Sequence, residues 1–383
     1  IMLKSFSQDT FEAIPSPCFV LEDEKLRRNL KRIDSVQKRA QINVILALKG
    51  FAMWSSFPLI KAYLKGATAS SMNEAKLCVE KFSTLAHTYA VGYRDEEFDE
   101  LMKLSSHVTF NSLNQFHKFQ DRVPAHISMG LRVNPEWSDV TVDLYNPAHA
   151  HSRLGLISSS LPEALPPNIE GLHFHVLCES SAAALVQVLE NFETKFKKYL
   201  PNIKWLNMGG GHLITKEGYD VELLVDTLKY FKKKYQVEII LEPGGAIAWQ
   251  AGFLKTTIID IVENEGSPTA VIDASFTCHM PDCLEMPYRP EIMEGSHHAK
   301  KQPFRYKIGG VSCLAGDFLA DYSFSKPLKI GDTLTFLNMM HYTMVKTTMF
   351  NGVNHPSIGV IRADHTFELL KTFSYQDYRD KLS

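Results

Sequence analysis

The sequence lacks the features that mark membrane, nucleic-acid-binding and disulfide-stapled proteins. No apolar stretch approaches the roughly 18 residues needed to span a bilayer. Lys and Arg number 41 against 43 Asp and Glu, a formal charge of -2. No basic field therefore exists to draw nucleic acid or an anionic membrane. The six cysteines, Cys18, Cys78, Cys178, Cys278, Cys283 and Cys313, contain no CxxC pair. A chain of this length does not need disulfides, so reduced thiols are expected. His279 lies between Cys278 and Cys283, but neither a second close pair nor an HExxH helix accompanies them, and no metal is expected. Residues 1–11 include Lys4, Gln8 and Asp9 and form no secretory h-region, which leaves a cytoplasmic protein as the expectation. No repeat or low-complexity segment is present.

What the sequence does hold is a folded chain of two domains. Hydrophobic residues make up 45% and charged residues 22% of 383, and one core rarely serves that length. From residue 17 to 245 short apolar runs alternate with amphipathic ones. Strands are expected at 43–48, 67–70, 89–91, 108–111, 127–133, 171–176, 205–208 and 238–241. Helices are expected at 55–65, 73–81, 96–104, 185–199 and 221–235. In the last of these, Val221, Leu224, Leu228, Phe231 and Tyr235 recur at helical spacing while Lys232–Lys234 face outward. Eight strands with helical crossovers suggest an α/β fold, a (β/α)8 barrel, over 17–245. After Gly245 short β-rich runs (256–263, 269–273, 306–308, 333–337) alternate with turns, so 246–383 reads as a mainly β domain, which residues 1–16 could join. The polar stretch 294–302 (EGSHHAKKQ) reads as a mobile loop.

Reactive groups of such a barrel belong at the C-terminal ends of its strands. Lys49 ends the first strong strand, ILALKGF. Crowding there disfavours its ammonium form and suits a nucleophile for an aldehyde, although a lysine leaving a strand for solvent has the same spacing. Gly209, Gly210 and Gly211 follow the strand WLNM and could let backbone N–H groups approach a phosphate; a tight turn explains them equally well. Glu242, in EPGG, is a strand-end carboxylate that needs a cationic partner such as a pyridinium nitrogen. Period-2 geometry puts His173 and His175 on one face, where one of them could cover a ring. Lysine for an aldehyde, glycines for a phosphate and glutamate for a ring nitrogen together fit pyridoxal phosphate.

The ordered series LALKGFA, SSMNE, RVNP, HSRLG, GLHFHV, LNMGGGH, EPGG, CLAGD, NMMHYT and FNG resembles the fold-type III pyridoxal-phosphate decarboxylases, which act on ornithine, arginine and diaminopimelate and are related to alanine racemase. The resemblance spans nearly the whole chain. It implies that Lys49 is the Schiff-base lysine, Glu74 a carboxylate of the site wall, and His175 the imidazole stacked on the cofactor. It further implies Gly209, Gly210, Gly211 and Gly244 around the cofactor, Glu242 on its ring nitrogen and Tyr342 at its phosphate. Cys313 and Asp317 match residues that the family inserts into the neighbouring subunit's site, so a homodimer with shared sites is implied. Cys313 is then the expected proton donor, and Asp282 and Asp317 the expected partners of substrate ammonium groups.

The departures are informative. Gly245 stands where many relatives have arginine, Leu314 where ornithine decarboxylases have a second aspartate, and Pro281 where diaminopimelate decarboxylases have an arginine for a distal carboxylate. The expected substrate is therefore a carboxylated polyamine, carboxynorspermidine or carboxyspermidine, decarboxylated in polyamine biosynthesis. A diaminopimelate-type enzyme and a non-catalytic cofactor-binding homologue are the alternatives. Arg132, His173, His279 and Arg289 remain without assigned roles.

Overall fold

A computed structural model describes residues 6–383 of the chain. It divides into two units, Asn29–Ile247 on one side and Ala248–Ser383 with the residues up to Arg28 on the other. The division falls inside helix Asp23–Ala40. Residues 1–5, part of the 1–16 segment expected to join the second domain, lie outside the described residues.

The first unit is a closed parallel barrel. Its strands run in the order Asn43–Val44, Glu238–Leu241, Trp205–Asn207, Ile169–His173, Ser128–Arg132, Ser105–Phe110, Ala86–Tyr89, Ala67–Ala69 and Leu46–Ala47. The first and last segments are two halves of one run, interrupted at Ile45. Val44 pairs with Leu241 on one side and Leu46 with Ala67 on the other, so a single strand closes the sheet. The eight expected strands are all present, with shifted bounds. Strand Ala86–Tyr89 lies before the expected 89–91, because it carries His87 and Tyr89 rather than aliphatic residues. His87 stacks on His107 with ring centroids 3.9 Å apart.

An indole fills part of the barrel interior. A Cβ on Gly130 would lie 2.3 Å from Trp205, and one on Gly171 would lie 2.0 Å from it. Two neighbouring strands therefore give up their side chains to make room for one ring. Trp205 Nε1 donates to Ser128 Oγ at 2.8 Å, which satisfies the single polar atom of that ring. His107 meets the indole edge-on at 5.5 Å.

Helix Val221–Tyr235 shows how the outer layer is specified. The Asp220 side chain caps it by accepting from Leu223 N–H at 2.9 Å, worth about 1 kcal/mol. Leu224, Val225, Leu228 and Phe231 are buried, and the lysines of the last turn complement the helix dipole. The lysine run is not merely solvated: Lys234 pairs with Glu193 at 2.7 Å.

The second unit is built on an eight-stranded sheet in the order Phe318–Phe324, Phe304–Gly309, Ser267–Ile272, Gly252–Asn264, Cys18–Glu22, Ser357–Ile361 and Phe367–Lys371, with Thr333–Leu337 also paired to Gly252–Asn264. Two expectations are corrected here. Residues 17–28 were grouped with the barrel, but strand Cys18–Glu22 pairs antiparallel with Gly252–Asn264 and parallel with Ser357–Ile361. Its fully buried pattern gives no alternation to reveal which sheet it joins. The stretch 294–302 is tied down rather than loose. Glu294 accepts from Thr335 N and Oγ1 at 2.7 Å each, and Ser296 exchanges backbone bonds with Ser323 at 2.8 and 2.9 Å. Its polar residues serve the sheet. No helix among the described residues is long and apolar enough to cross a membrane.

Replacing Trp205 by alanine should empty the space that Gly130 and Gly171 vacate for it. Urea denaturation is expected to show a loss of about 3–5 kcal/mol, the range for large aromatic-to-alanine changes in cores. A loss below ~1 kcal/mol would mean that the ring does not support the barrel.

Candidate active site

The C-terminal ends of the barrel strands bring Lys49, Thr68, Tyr89, Arg132, His173, His175, Gly210 and Glu242 around one small cavity. A larger recess of about 660 Å³ lies elsewhere on this unit, among Gln37, Lys38, Lys65 and Lys232. Two of its lysines are engaged locally, Lys38 with Asp34 at 2.6 Å and Lys232 with the Gln41 carbonyl. The chemistry therefore lies at the small cavity.

Its wiring begins at the glycine run. Gly209 and Gly211 adopt φ of 68° and 83°, which favours glycine strongly. A Cβ on Gly210 would stand 2.5 Å from the Glu242 carbonyl. This tight path brings Gly210 N–H to His175 Nδ1 at 3.0 Å. The backbone group can only donate, so Nδ1 must be the unprotonated nitrogen, and a neutral His175 carries its proton on Nε2. Burial holds the ring neutral, well below the usual imidazole range, and positive charge on Lys49, in its ammonium form, and on Arg132 acts in the same direction.

His175 Nε2 lies 3.2 Å from Lys49 Nζ. An Nε2–H bond to Nζ needs a lone pair on the lysine, so the contact selects the free amine. Lys49 has solvent-accessible surface at the mouth, yet protein surrounds its head group closely enough to strip most hydration. That desolvation lowers its pKa; Arg132 lowers it further, while Glu242, Cys178 and Glu74 oppose the shift. Lys49 therefore has the environment of a nucleophilic amine.

Glu242 supplies the opposite charge. Asn207 Nδ2 donates to its Oε1 at 2.8 Å, and Asn207 Oδ1 accepts from Gly209 N–H at 2.8 Å. One amide thus ties the glutamate to the glycine run. Burial raises the Glu242 pKa against the pull of Asn207, Lys49, Thr68 and Arg132. Arg132 donates to the His175 carbonyl at 2.9 Å and lies 4.8 Å over the Tyr89 ring. Glu74 folds back onto Ser70 N–H at 2.6 Å, and burial raises its pKa. Gly244 packs against Gly50, where a Cβ would approach Gly244 Cα to 2.9 Å. Its place beside the lysine is one of close backbone contact.

Lys49, His175, Gly209, Gly210, Gly211, Glu242 and Gly244 are thus gathered on the barrel unit. The glycine run differs from a simple phosphate cradle: the N–H groups of Gly209 and Gly210 are taken by Asn207 and His175, and only that of Gly211 is left without such a bond. Asn207 and Tyr89 were missed in the sequence. Asn207 stands two residues before Gly209 and so shares its strand face, which was the available signal. Tyr89 had none beyond a strand end.

The remaining candidates belong to the second unit. Cys313 is exposed, and its N–H is held by Asn351 Oδ1 at 2.7 Å; Asn351 itself has φ of 58°. Tyr342 adopts φ of 53°, a costly conformation for a bulky residue. Asp317 corrects an expectation. Oδ1 accepts from the N–H groups of Phe276 and Thr277 at 2.8 and 3.1 Å. Oδ2 accepts from Ser275 Oγ, Ser312 N–H and Ser312 Oγ at 2.8, 3.2 and 2.6 Å. Five donors occupy this buried carboxylate. It braces the loop that carries Cys313 and keeps no capacity for a substrate ammonium. Asp282 is likewise engaged, in an ion pair with Lys346, which also contacts Glu285 at 2.7 Å.

A family model described as "Pyridoxal-dependent decarboxylase, C-terminal sheet domain" matches residues 18–340. A carboxyaminopropylagmatine decarboxylase from Synechocystis sp. is 49% identical, over 97% of this chain and 96% of its own. A carboxynorspermidine/carboxyspermidine decarboxylase from Campylobacter jejuni is 43% identical, over 96% of this chain and 98% of its own. The crystal structure of carboxynorspermidine decarboxylase from Campylobacter jejuni complexed with norspermidine matches with a TM-score of 0.89 at 42% identity, covering 96% of this chain and 100% of that one.

The depressed Lys49 pKa has a direct readout. The free amine should persist below the ordinary lysine range, and the rate of pyridoxal phosphate capture should fall only as pH drops through that lowered value. Removing the nearby cation in Arg132→Met should move this midpoint upward, because a positive neighbour disfavours ammonium. An unchanged or lower midpoint would contradict the electrostatic account. Lys49→Ala should abolish capture altogether, and a borohydride-fixed adduct on any other lysine would refute the assignment.

Proposed function

The chain belongs to the family of pyridoxal-dependent decarboxylases, and from that premise we propose that it releases CO2 from an α-carboxylated polyamine, carboxynorspermidine or carboxyspermidine, in polyamine biosynthesis. The supporting observation is the full-length similarity to carboxynorspermidine decarboxylases, combined with an amine-selecting Lys49–His175 contact. The barrel mouth fits pyridoxal 5'-phosphate on its own chemistry. It offers a lysine freed of its proton, a buried carboxylate in need of a cation, and buried polar atoms without partners at Arg132 Nε and His173. When bound, that cofactor supplies the electron sink for decarboxylation.

The residues then divide the work. With the cofactor bound, Lys49 would hold its aldehyde end, and Glu242 would hold the ring nitrogen with its proton. His175 keeps Lys49 uncharged, and Gly211 with Tyr342 serves the phosphate end. The Cys313 thiol returns a proton to the carbon that lost CO2, as its exposed position allows. Asp282 receives a substrate cation by exchange with Lys346. Asp317 acts only through the loop it braces.

Assembly follows from the same loops. Leu314 and Phe350, next in sequence to Cys313 and its anchor Asn351, are exposed, as are Phe318 and Val345 of the same unit. Apolar side chains of this kind suit a second copy of the chain, which gives a homodimer with shared sites. None of the six cysteines forms a disulfide, which suits a reducing cytoplasm. Neither nucleic acid nor a membrane is a partner in this reading.

A second reading is favoured by one observation. The Synechocystis relative, at 49% identity, acts on carboxyaminopropylagmatine by name, so a guanidinium could replace the distal ammonium. Turnover of carboxynorspermidine, carboxyspermidine, carboxyaminopropylagmatine and meso-diaminopimelate separates these readings. A polyamine should be preferred, and efficient decarboxylation of diaminopimelate would overturn the proposal. Asp282→Asn should reduce kcat/KM on the preferred polyamine only modestly, by about 1 kcal/mol or less in transition-state binding because the substrate cation exchanges with Lys346 there, leaving the visible absorbance of bound cofactor intact. Mixed Lys49→Ala and Cys313→Ala subunits should recover up to about a quarter of wild-type activity, since random hybrids of a two-fold dimer hold one intact site. No recovery despite verified subunit exchange would rule out shared sites.

A further inference from the structure

His173 lies in the wall of the same cavity and has no part in the reaction as assigned above. It ends strand Ile169–His173, and its carbonyl accepts from Val133 N–H at 2.7 Å, so the backbone beneath it is anchored. Its ring stands edge-on to Tyr89 at 5.4 Å. Both ring nitrogens are buried without a hydrogen-bond partner. Nε2 lies 3.6 Å from Glu242 Oε2, the oxygen that Asn207 does not use.

A purely structural role does not account for this. A phenylalanine would pack against Tyr89 as well and carry no desolvation cost, whereas an imidazole with neither nitrogen satisfied is destabilising. Such a group earns its place through what it does to a neighbour. Burial, Arg132 and Lys49 hold the ring neutral, well below the usual imidazole range, so it has one N–H to place. Arg132 is a cation and needs no donor, and the lone pair of the Lys49 amine is already taken by His175 Nε2–H. Tyr89 already donates its hydroxyl to Asn111 at 2.8 Å. Oε2 of Glu242 is the acceptor within closing distance.

We infer that His173 is a positioning residue for Glu242: as the neutral Nε2–H tautomer it closes on Oε2 while Asn207 holds Oε1, and the two donors together keep the carboxylate ionised and aimed at the cofactor's ring nitrogen. The inference rests on the proposed role of Glu242 toward that nitrogen. It adds that, beside Thr68, donors from two neighbouring strands, Ile169–His173 and Trp205–Asn207, help set the ionised state of Glu242, and that removing either weakens the hold on a ring proton.

The test reads the ring nitrogen rather than turnover. Enzyme loaded with 15N-labelled pyridoxal phosphate should show a protonated ring nitrogen by NMR. In His173→Phe the resonance should move toward the unprotonated position, and cofactor should bind about tenfold more weakly, the equivalent of one hydrogen bond. His173→Gln, which keeps an N–H at the end of its side chain, should restore both. An unchanged resonance and affinity in His173→Phe would overturn the inference. Should that variant fail to fold, the tautomer in the wild type decides: a His173 protonated at Nδ1 rather than Nε2 overturns it, and the Nε2–H form supports it. Glu242→Gln is the control for the underlying reading. If that change leaves the ring nitrogen protonated, Glu242 is not its partner and both claims fall. If it shifts the resonance while His173→Phe does not, only the inference on His173 fails.

Discussion

The Gly210 N–H bond to His175 Nδ1 carries the protonation logic of the barrel mouth. A backbone N–H cannot reverse its role, so it removes one of the two tautomers of a neutral imidazole. The other nitrogen then bears the proton and faces Lys49 Nζ at 3.2 Å. An ammonium there would set donor against donor, whereas a free amine accepts. Desolvation acts in the same direction, since crowding at the head group penalises the charged form. The nucleophile is thus prepared by a hydrogen bond two steps removed from it, and that bond depends on a backbone path open to glycine at Gly209 and Gly211. A side chain at Gly210 would push its N–H away from the ring.

Opposite charges are needed in the same small space, and the barrel solves this by giving each its own support. Glu242 is stabilised through Asn207, and Arg132 through the His175 carbonyl and the Tyr89 face. These supports come from parallel strands whose ends converge at one rim. Because Asn207 also binds Gly209 N–H, the carboxylate and the glycine run move as one piece. The same two N–H groups cannot serve this wiring and a phosphate at once, so an anion held here must draw on other donors.

Much of this was legible in the sequence because parallel strands leave a strong signal. Eight apolar runs separated by amphipathic helices gave the barrel, and reactive residues directly after Ala47–Leu48, Leu172 and Leu241 marked its rim. What could not be read were features set by partners distant in sequence. Strand Cys18–Glu22 is buried on both faces, so nothing in its five residues says that it pairs with residues 252–255 rather than with the barrel. Ala86–Tyr89 was displaced because two of its residues are His87 and Tyr89, whose environment is supplied by His107 and Arg132. Among the candidate site residues, Lys49, His175 and Glu242 fall together, since each chemistry demanded a strand end. Asp317 reads as a free acidic residue in CLAGD, and only the fold reveals that Ser275, Phe276, Thr277 and Ser312 saturate it.

Under the proposed function, that saturation narrows how the second unit could select a substrate. Asp282 already has a cation in Lys346, and Glu285 shares it. A substrate ammonium or guanidinium reaching Asp282 exchanges one ion pair for another, so the net gain is the difference between two similar terms and is small. A guanidinium gains somewhat more where it can bind a carboxylate through two parallel bonds. Attraction at this position therefore discriminates poorly among polyamines of similar length. Repulsion discriminates better. A substrate bearing a second carboxylate would bring a like charge toward Asp282 and Glu285, lose the chance of exchange, and find Pro281 where an arginine would be needed. Excluding the wrong charge requires no precise fit to the chain that carries the right one, so a single acidic cluster can reject dicarboxylates while accepting cations that differ by a methylene or by an ammonium against a guanidinium.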